Sequence, residues 1–217
     1  MRKTREIGVI GLGKFGLELA ATLTELGHRV VGVDTSENKV RAARDYVAHV
    51  FAGDATDKAV LAQLRFQDLD AVAVSVGGSM ETSILVTLNL QEIGVKEIIV
   101  KAVSPAHRKV LRRIGATHVI QPEADVAVDT AHRLTNPGML DLLPLGSGVL
   151  VQESLVDAWD GKTLVSLNLR NMGVLVAAVR RANDSEYRFV PDPGAPFAKG
   201  DKVLLIGDKD AVLALKT

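Results

Sequence analysis

The chain has 217 residues, of which 47% are apolar, enough for one large domain or for a medium domain with a small one. Lysine plus arginine equals aspartate plus glutamate at 26 each, so net charge advertises neither nucleic acid nor an anionic membrane surface as a partner. Cysteine is absent, which excludes disulfides, thiol nucleophiles and thiolate metal sites, and no apolar run approaches the roughly 18 residues of a membrane helix. No signal-peptide apolar segment follows Met1-Arg2-Lys3-Thr4-Arg5, so the expectation is a globular cytoplasmic protein without direct membrane insertion.

The first predicted strand, Ile7–Ile10, runs into Gly11-Leu12-Gly13-Lys14-Phe15-Gly16. Gly11 suits the sharp turn out of the strand, Gly13 leaves room for a pyrophosphate against bare backbone, and Gly16 lets the following helix pack closely on the strand. Phosphates would sit on the helix N-terminus, where unpaired N–H groups and the dipole favour negative charge, with Lys14 as an added cation. Phe15, Leu19, Leu23 and Leu26 fall at helical spacing and predict the buried face of that helix; Gly27 supplies its stop. Val30–Val33 predicts a buried parallel strand with Asp34 at its carboxyl end. A carboxylate there can accept both ribose hydroxyls and repels a 2′-phosphate, which points to an adenosine nucleotide with a free 2′-hydroxyl; the same residue also suits a helix N-cap.

Four further strand–helix units are expected. Helix Glu37–Arg44 precedes strand Val47–Phe51, whose loop Gly53-Asp54-Ala55-Thr56 leads to a helix over Asp57–Leu64. This loop leaves a strand on the same rim as the first glycine turn and can flank an adenine, although Asp54 and Thr56 are also good caps. Strand Ala71–Ser75 is followed by Val76-Gly77-Gly78-Ser79 and a helix over Glu81–Ile93; Gly77 and Gly78 let backbone approach a ligand, and Ser79 suits a cap. Strand Glu97–Val100 ends at Lys101, within reach of phosphates. A basic helix, Pro105–Ile114, ends at Gly115, strand His118–Ile120 follows, and Gln121-Pro122-Glu123 turns into a helix reaching about Leu134. The alternation predicts an α/β fold, a Rossmann-like doubly wound parallel sheet with all these loops on one edge.

Asn136-Pro137-Gly138 breaks the pattern, placing a boundary between residues 1–135 and 136–217. The tail predicts strands at Val149–Val156, Val174–Arg180, Tyr187–Val190 and Val203–Ile206 and a short helix near Leu164–Leu167: a small α+β module whose core dimerisation would complete. It is too short for a substrate domain and offers no acid–base pair. His28, His49, His107, His118 and His132 are scattered without metal-ligand spacing, and no P-loop is present. The pattern is one for binding rather than catalysis.

Taken with Asp34, the motifs Gly11–Gly16, Gly53-Asp54-Ala55-Thr56, Val100-Lys101-Ala102 and Gln121-Pro122-Glu123 make the chain resemble the cytosolic regulators of Trk/Ktr potassium uptake. Residues from about 6 to 130 are similar to the nucleotide-binding RCK N-terminal domain, and those from about 140 onward to its small C-terminal domain. The resemblance implies ATP or ADP, with NAD(H) as the alternative, held by Gly11, Gly13, Lys14, Phe15, Gly16, Asp34, Thr35, Ser36, Asp54, Ala55, Thr56, Gly77 and Lys101. Lys14 stands where relatives often carry arginine and lacks the bidentate fork, which leaves nucleotide preference open. Glu123 matches a position near the phosphates at a dimer interface, associated with a monovalent or divalent cation. For the tail the resemblance implies dimer contacts and, in some members, cyclic di-AMP, with Arg170 and Arg180 as anion contacts. It further implies a homodimer assembled into an octameric ring on a separate potassium-translocating membrane subunit. The competing readings are a small NAD-dependent oxidoreductase and a nucleic-acid binder using helix Pro105–Ile114.

Overall fold

The structure, a computed structural model, describes residues 4–135, 139–144 and 148–217. Met1–Lys3 lie outside the described residues, as does the expected break at Asn136-Pro137-Gly138. By its internal contacts the chain forms two compact units, Met1–Pro122 and Glu123–Thr217. The last helix of the alternating pattern, expected to close the first domain, thus falls with the second unit.

The first unit alternates strand and helix: β1 (Glu6–Ile10), α1 (Lys14–Glu25), β2 (Arg29–Asp34), α2 (Glu37–Ala43), β3 (His49–Ala52), α3 (Lys58–Gln63), β4 (Ala71–Val74), α4 (Met80–Glu92), β5 (Ile98–Lys101), α5 (Pro105–Arg113) and β6 (His118–Ile120). All six strands are parallel, in the order β3-β2-β1-β4-β5-β6, so the chain winds outward in both directions from β1. The sheet is buried on both faces, as such winding requires. Val9 joins α1 and α2 over one face through Ala20, Val40 and Ala43. Its neighbour Ile10 joins the other face, where Leu61 of α3, Val86 and Leu90 of α4 and Leu111 of α5 pack with Phe66.

The buried line of α1 differs from the one the leucine spacing predicts. Gly16 and Ala20 are buried and Leu17 and Leu23 pack beside them, whereas Leu26 is 62% exposed. Small residues carry the contact because the helix lies too close to β1 for larger ones: a β-carbon at Gly16 would fall on the Gly11 carbonyl oxygen.

The second unit contains α6 (Pro122–Thr135) and β7 (Met139–Pro144), followed by β8 (Val149–Leu155), α7 (Leu164–Leu167), β9 (Val174–Arg180), β10 (Arg188–Phe189), β11 (Lys202–Asp208) and α8 (Lys209–Ala214). Its five strands form an antiparallel sheet in the order β10-β9-β11-β8-β7. Trp159 and Phe197, with ring centroids 5.5 Å apart, share its core with Leu150, Val176 and Leu205. Asp201, 1% exposed, accepts from Arg181 at 2.5 Å and from the N–H groups of Ala198 and Ala182 at 2.9 and 3.2 Å. No helix among the described residues is long and apolar enough to cross a membrane.

Candidate nucleotide site

The carboxyl ends of β1 to β5 bring most of the expected residues to one rim of the first sheet. Backbone bonds extend the ladder into the loops: Gly11 N–H donates to Val33, Ser75 N–H to Ile10 and Gly53 N–H to Asp34, at 2.8, 2.7 and 3.1 Å. Gly11 takes a φ of +90°, which a side chain would strain, and a β-carbon there would stand 2.6 Å from the Ser75 carbonyl oxygen. Gly11 and Gly16 are therefore demanded by the protein's own atoms. Gly13 and Gly77 are not, because a β-carbon at either meets nothing within 4 Å. Their bare backbone leaves open surface in front of α1, whose first turn contains no acidic residue to offset the positive end of the helix.

Lys14 is exposed at the start of α1. Phe15, beside it, carries the ammonium of Lys101 over its ring at 5.6 Å, so α1 and the end of β5 meet there.

Asp34 is almost fully buried at the end of β2. Its Oδ2 accepts the Leu12 N–H and its Oδ1 the Ser36 N–H, both at 2.8 Å, while the Lys39 ammonium lies 3.2 and 3.4 Å from the two oxygens. One carboxylate thus pins the glycine turn and the start of α2 together. Ser36 occupies the N-cap position of α2 without a side-chain cap bond, and Thr35 is exposed between them.

In the third loop Asp54 accepts from the Thr56 N–H and hydroxyl at 2.9 and 2.7 Å, and these bonds hold its carboxyl below the usual range. Asp57, rather than Asp54 or Thr56, caps α3. Ala55 is buried, and Asn89 of α4, which the sequence reading did not single out, donates to the Thr56 carbonyl at 2.8 Å and so ties this loop to the fourth strand–helix unit. Beneath the same rim His107 is wholly buried; its Nδ1 accepts the Val103 N–H at 3.3 Å and its Nε2 lies 2.8 Å from Ser83 Oγ. That pattern places the ring proton on Nε2, and burial lowers the pKa below its ordinary 6.5. Buried side chains paired across 24 residues leave no spacing signal in a single sequence.

The remaining expected residues lie in the second unit. Glu123 is exposed in the first turn of α6, and no group of three metal-ligating side chains gathers among the described residues. Arg170 lines a cleft of about 870 Å³ with Val165, Leu175, Val190 and Asp192. Arg180 does not join it: its guanidinium lies 5.3 Å from the Tyr187 ring, whose hydroxyl bonds Glu153. Burial, then that bond, pushes the Tyr187 pKa up to about 12.

Comparison with known proteins matches the TrkA-N domain family model to residues 7–122 and the TrkA-C domain model to residues 151–217. The chain is 35% identical to Ktr system potassium uptake protein A of Vibrio alginolyticus, covering 95% of this chain and 94% of that protein. It is 37% identical to Ktr system potassium uptake protein C of Bacillus subtilis, covering 83% and 82%. Among solved structures, a GsuK channel bound to NAD is similar in fold with a TM-score of 0.57 and 22% identity, covering 97% of this chain. The chain spans 38% of that channel's length.

Proposed function

We propose, from the premise that this chain belongs to the family of Ktr and Trk potassium-uptake proteins built from a TrkA-N and a TrkA-C domain, that it is a nucleotide-sensing regulatory subunit of a potassium-uptake system. The observation that carries the reading is the uncrowded backbone at Gly13 and Gly77, set on one rim with the N-terminus of α1 and with Asp34. An adenosine nucleotide places its phosphates at Gly11–Gly16 with Lys14 and Lys101 nearby, its ribose at Asp34, Thr35 and Ser36, and its base beside Asp54–Thr56. NAD, held by a channel of similar fold, and ATP or ADP share that adenosine half.

The subunit binds rather than catalyses. A nucleotide with unequal affinity for two arrangements of the assembly shifts the population by that difference, and the shift reaches a separate potassium-translocating membrane subunit. The protein works in the cytoplasm as a homodimer within an octameric ring, with a cation near Glu123 and the Arg170 cleft of the second unit as the place for cyclic di-AMP. Calorimetric titration with ADP, ATP and NADH tests the first step, and co-purification with the membrane subunit the second. Oxidation of NADH by a keto acid, or reduction of NAD by the corresponding hydroxy acid, would overturn the regulatory reading.

A further inference from the structure

The carboxylate of Asp34 is saturated. Two oxygens offer about four acceptor positions, and the Leu12 N–H, the Ser36 N–H and the two contacts of the Lys39 ammonium fill them. The donors are not equivalent. Leu12 and Ser36 donate at 2.8 Å from backbone that the glycine turn and the start of α2 hold in place. Lys39 donates at 3.2 and 3.4 Å from a side chain that is 50% exposed, against 5% for Asp34, and it bridges both oxygens from the solvent side. A vicinal diol also presents two O–H donors to the two oxygens of one carboxylate.

We propose that Lys39 is a specificity-determining residue of the nucleotide site: its ammonium holds the two acceptor positions of Asp34 that the 2′ and 3′ hydroxyls of a ribose take, and the diol must displace it to bind. The inference rests on the nucleotide reading above. It adds that the ribose end is a competition, in which only a ligand bringing two hydroxyls replaces what it removes. A ligand lacking them gains nothing at Asp34 and leaves the lysine seated.

The test compares ADP with 2′,3′-dideoxy-ADP on the full chain, wild type against Lys39→Met and Lys39→Gln, by calorimetry. With the competitor gone, ADP binding tightens by up to about fivefold, the scale of a half-exposed ion pair, while the dideoxy nucleotide binds all three proteins alike. Weaker ADP binding by both variants, or an equal change for both nucleotides, overturns the displacement while leaving the nucleotide site standing. Failure of the wild type to bind ADP, ATP and NADH alike removes the nucleotide reading and this inference with it.

Discussion

Substituting the two glycines that flank the start of α1 separates what the fold needs from what a ligand needs. Gly13 has φ −71° and ψ −173°, an extended backbone open to alanine, and no atom lies within 4 Å of its absent β-carbon. Alanine is a poorer N-cap than glycine, which costs several tenths of a kcal/mol, and its stiffer unfolded chain returns about 0.4–1 kcal/mol. Gly13→Ala therefore leaves stability within about 0.5 kcal/mol of wild type. The new methyl projects into the open space proposed for the pyrophosphate, and overpacking of about 1–3 kcal/mol would weaken ADP binding roughly 5- to 150-fold. At Gly16 the same methyl collides with the Gly11 carbonyl, so α1 must leave its strand at a cost of about 3 kcal/mol or more. Urea unfolding followed by far-UV circular dichroism measures stability, since the single tryptophan, Trp159, reports on the second unit; calorimetry measures ADP binding. Gly13→Ala that binds ADP like wild type, or that unfolds as readily as Gly16→Ala, refutes the assignment of the open surface to a ligand.

Asp34→Ala deletes a proposed ribose contact and also orphans the buried Leu12 N–H, at about 1–3 kcal/mol, so urea unfolding shows it less stable than Asp34→Asn, whose side-chain oxygen still accepts one of the two backbone donors. Asp34→Asn should still lose most ADP affinity in calorimetry; unchanged affinity would remove Asp34 from the site. For His107 the folded pKa is depressed, so the unfolded chain takes up the proton first on acidification. Its contribution is complete above the unfolded value of about 6.5 and is lost as pH falls toward the folded value; melts from pH 7.5 to 5 should show a steeper decline for wild type than for His107→Asn, and parallel curves contradict this. Arg181→Ala leaves Asp201 buried without its cation, and because Arg181 is itself 35% exposed the loss should be about 2–3 kcal/mol, below the usual cost for a fully buried pair. Trp159 fluorescence in urea measures it, and a change under 0.5 kcal/mol would mean that the Ala182 and Ala198 N–H groups suffice.

Local chemistry made most of the first sheet readable. Each strand is a short apolar run and each rim loop carries glycine or a capping residue, so the β–α order follows the sequence closely. The buried face of α1 did not, because leucine spacing marks apolar residues while close packing selects Gly16 and Ala20. In the second unit β10 stops at Phe189, where the sequence predicts an extension through Val190; Val190 has φ +52°, which ends the regular pairing although its N–H still donates to the Ala177 carbonyl of β9 at 3.0 Å. The strand Met139–Pro144 and the six-residue helix Lys209–Ala214 lacked a periodic signal long enough to find. At the candidate site glycines and Asp34 were legible from spacing. Lys39, Asn89 and the Ser83–His107 pair were not, since each acts through a partner that only the folded backbone brings near.

The central position of β1 also bears on how the chain acquires its fold. Ile7 pairs with Val30 on one side and Ala71 on the other, so β1 is completed only after β4 has left the ribosome. Until then one edge of β1 is an unsatisfied ladder of apolar residues, and loop closure across that separation sets a slow step. Nascent chains arrested before Ala71 should therefore expose that edge to chaperones, and those extended past Val74 should bury it.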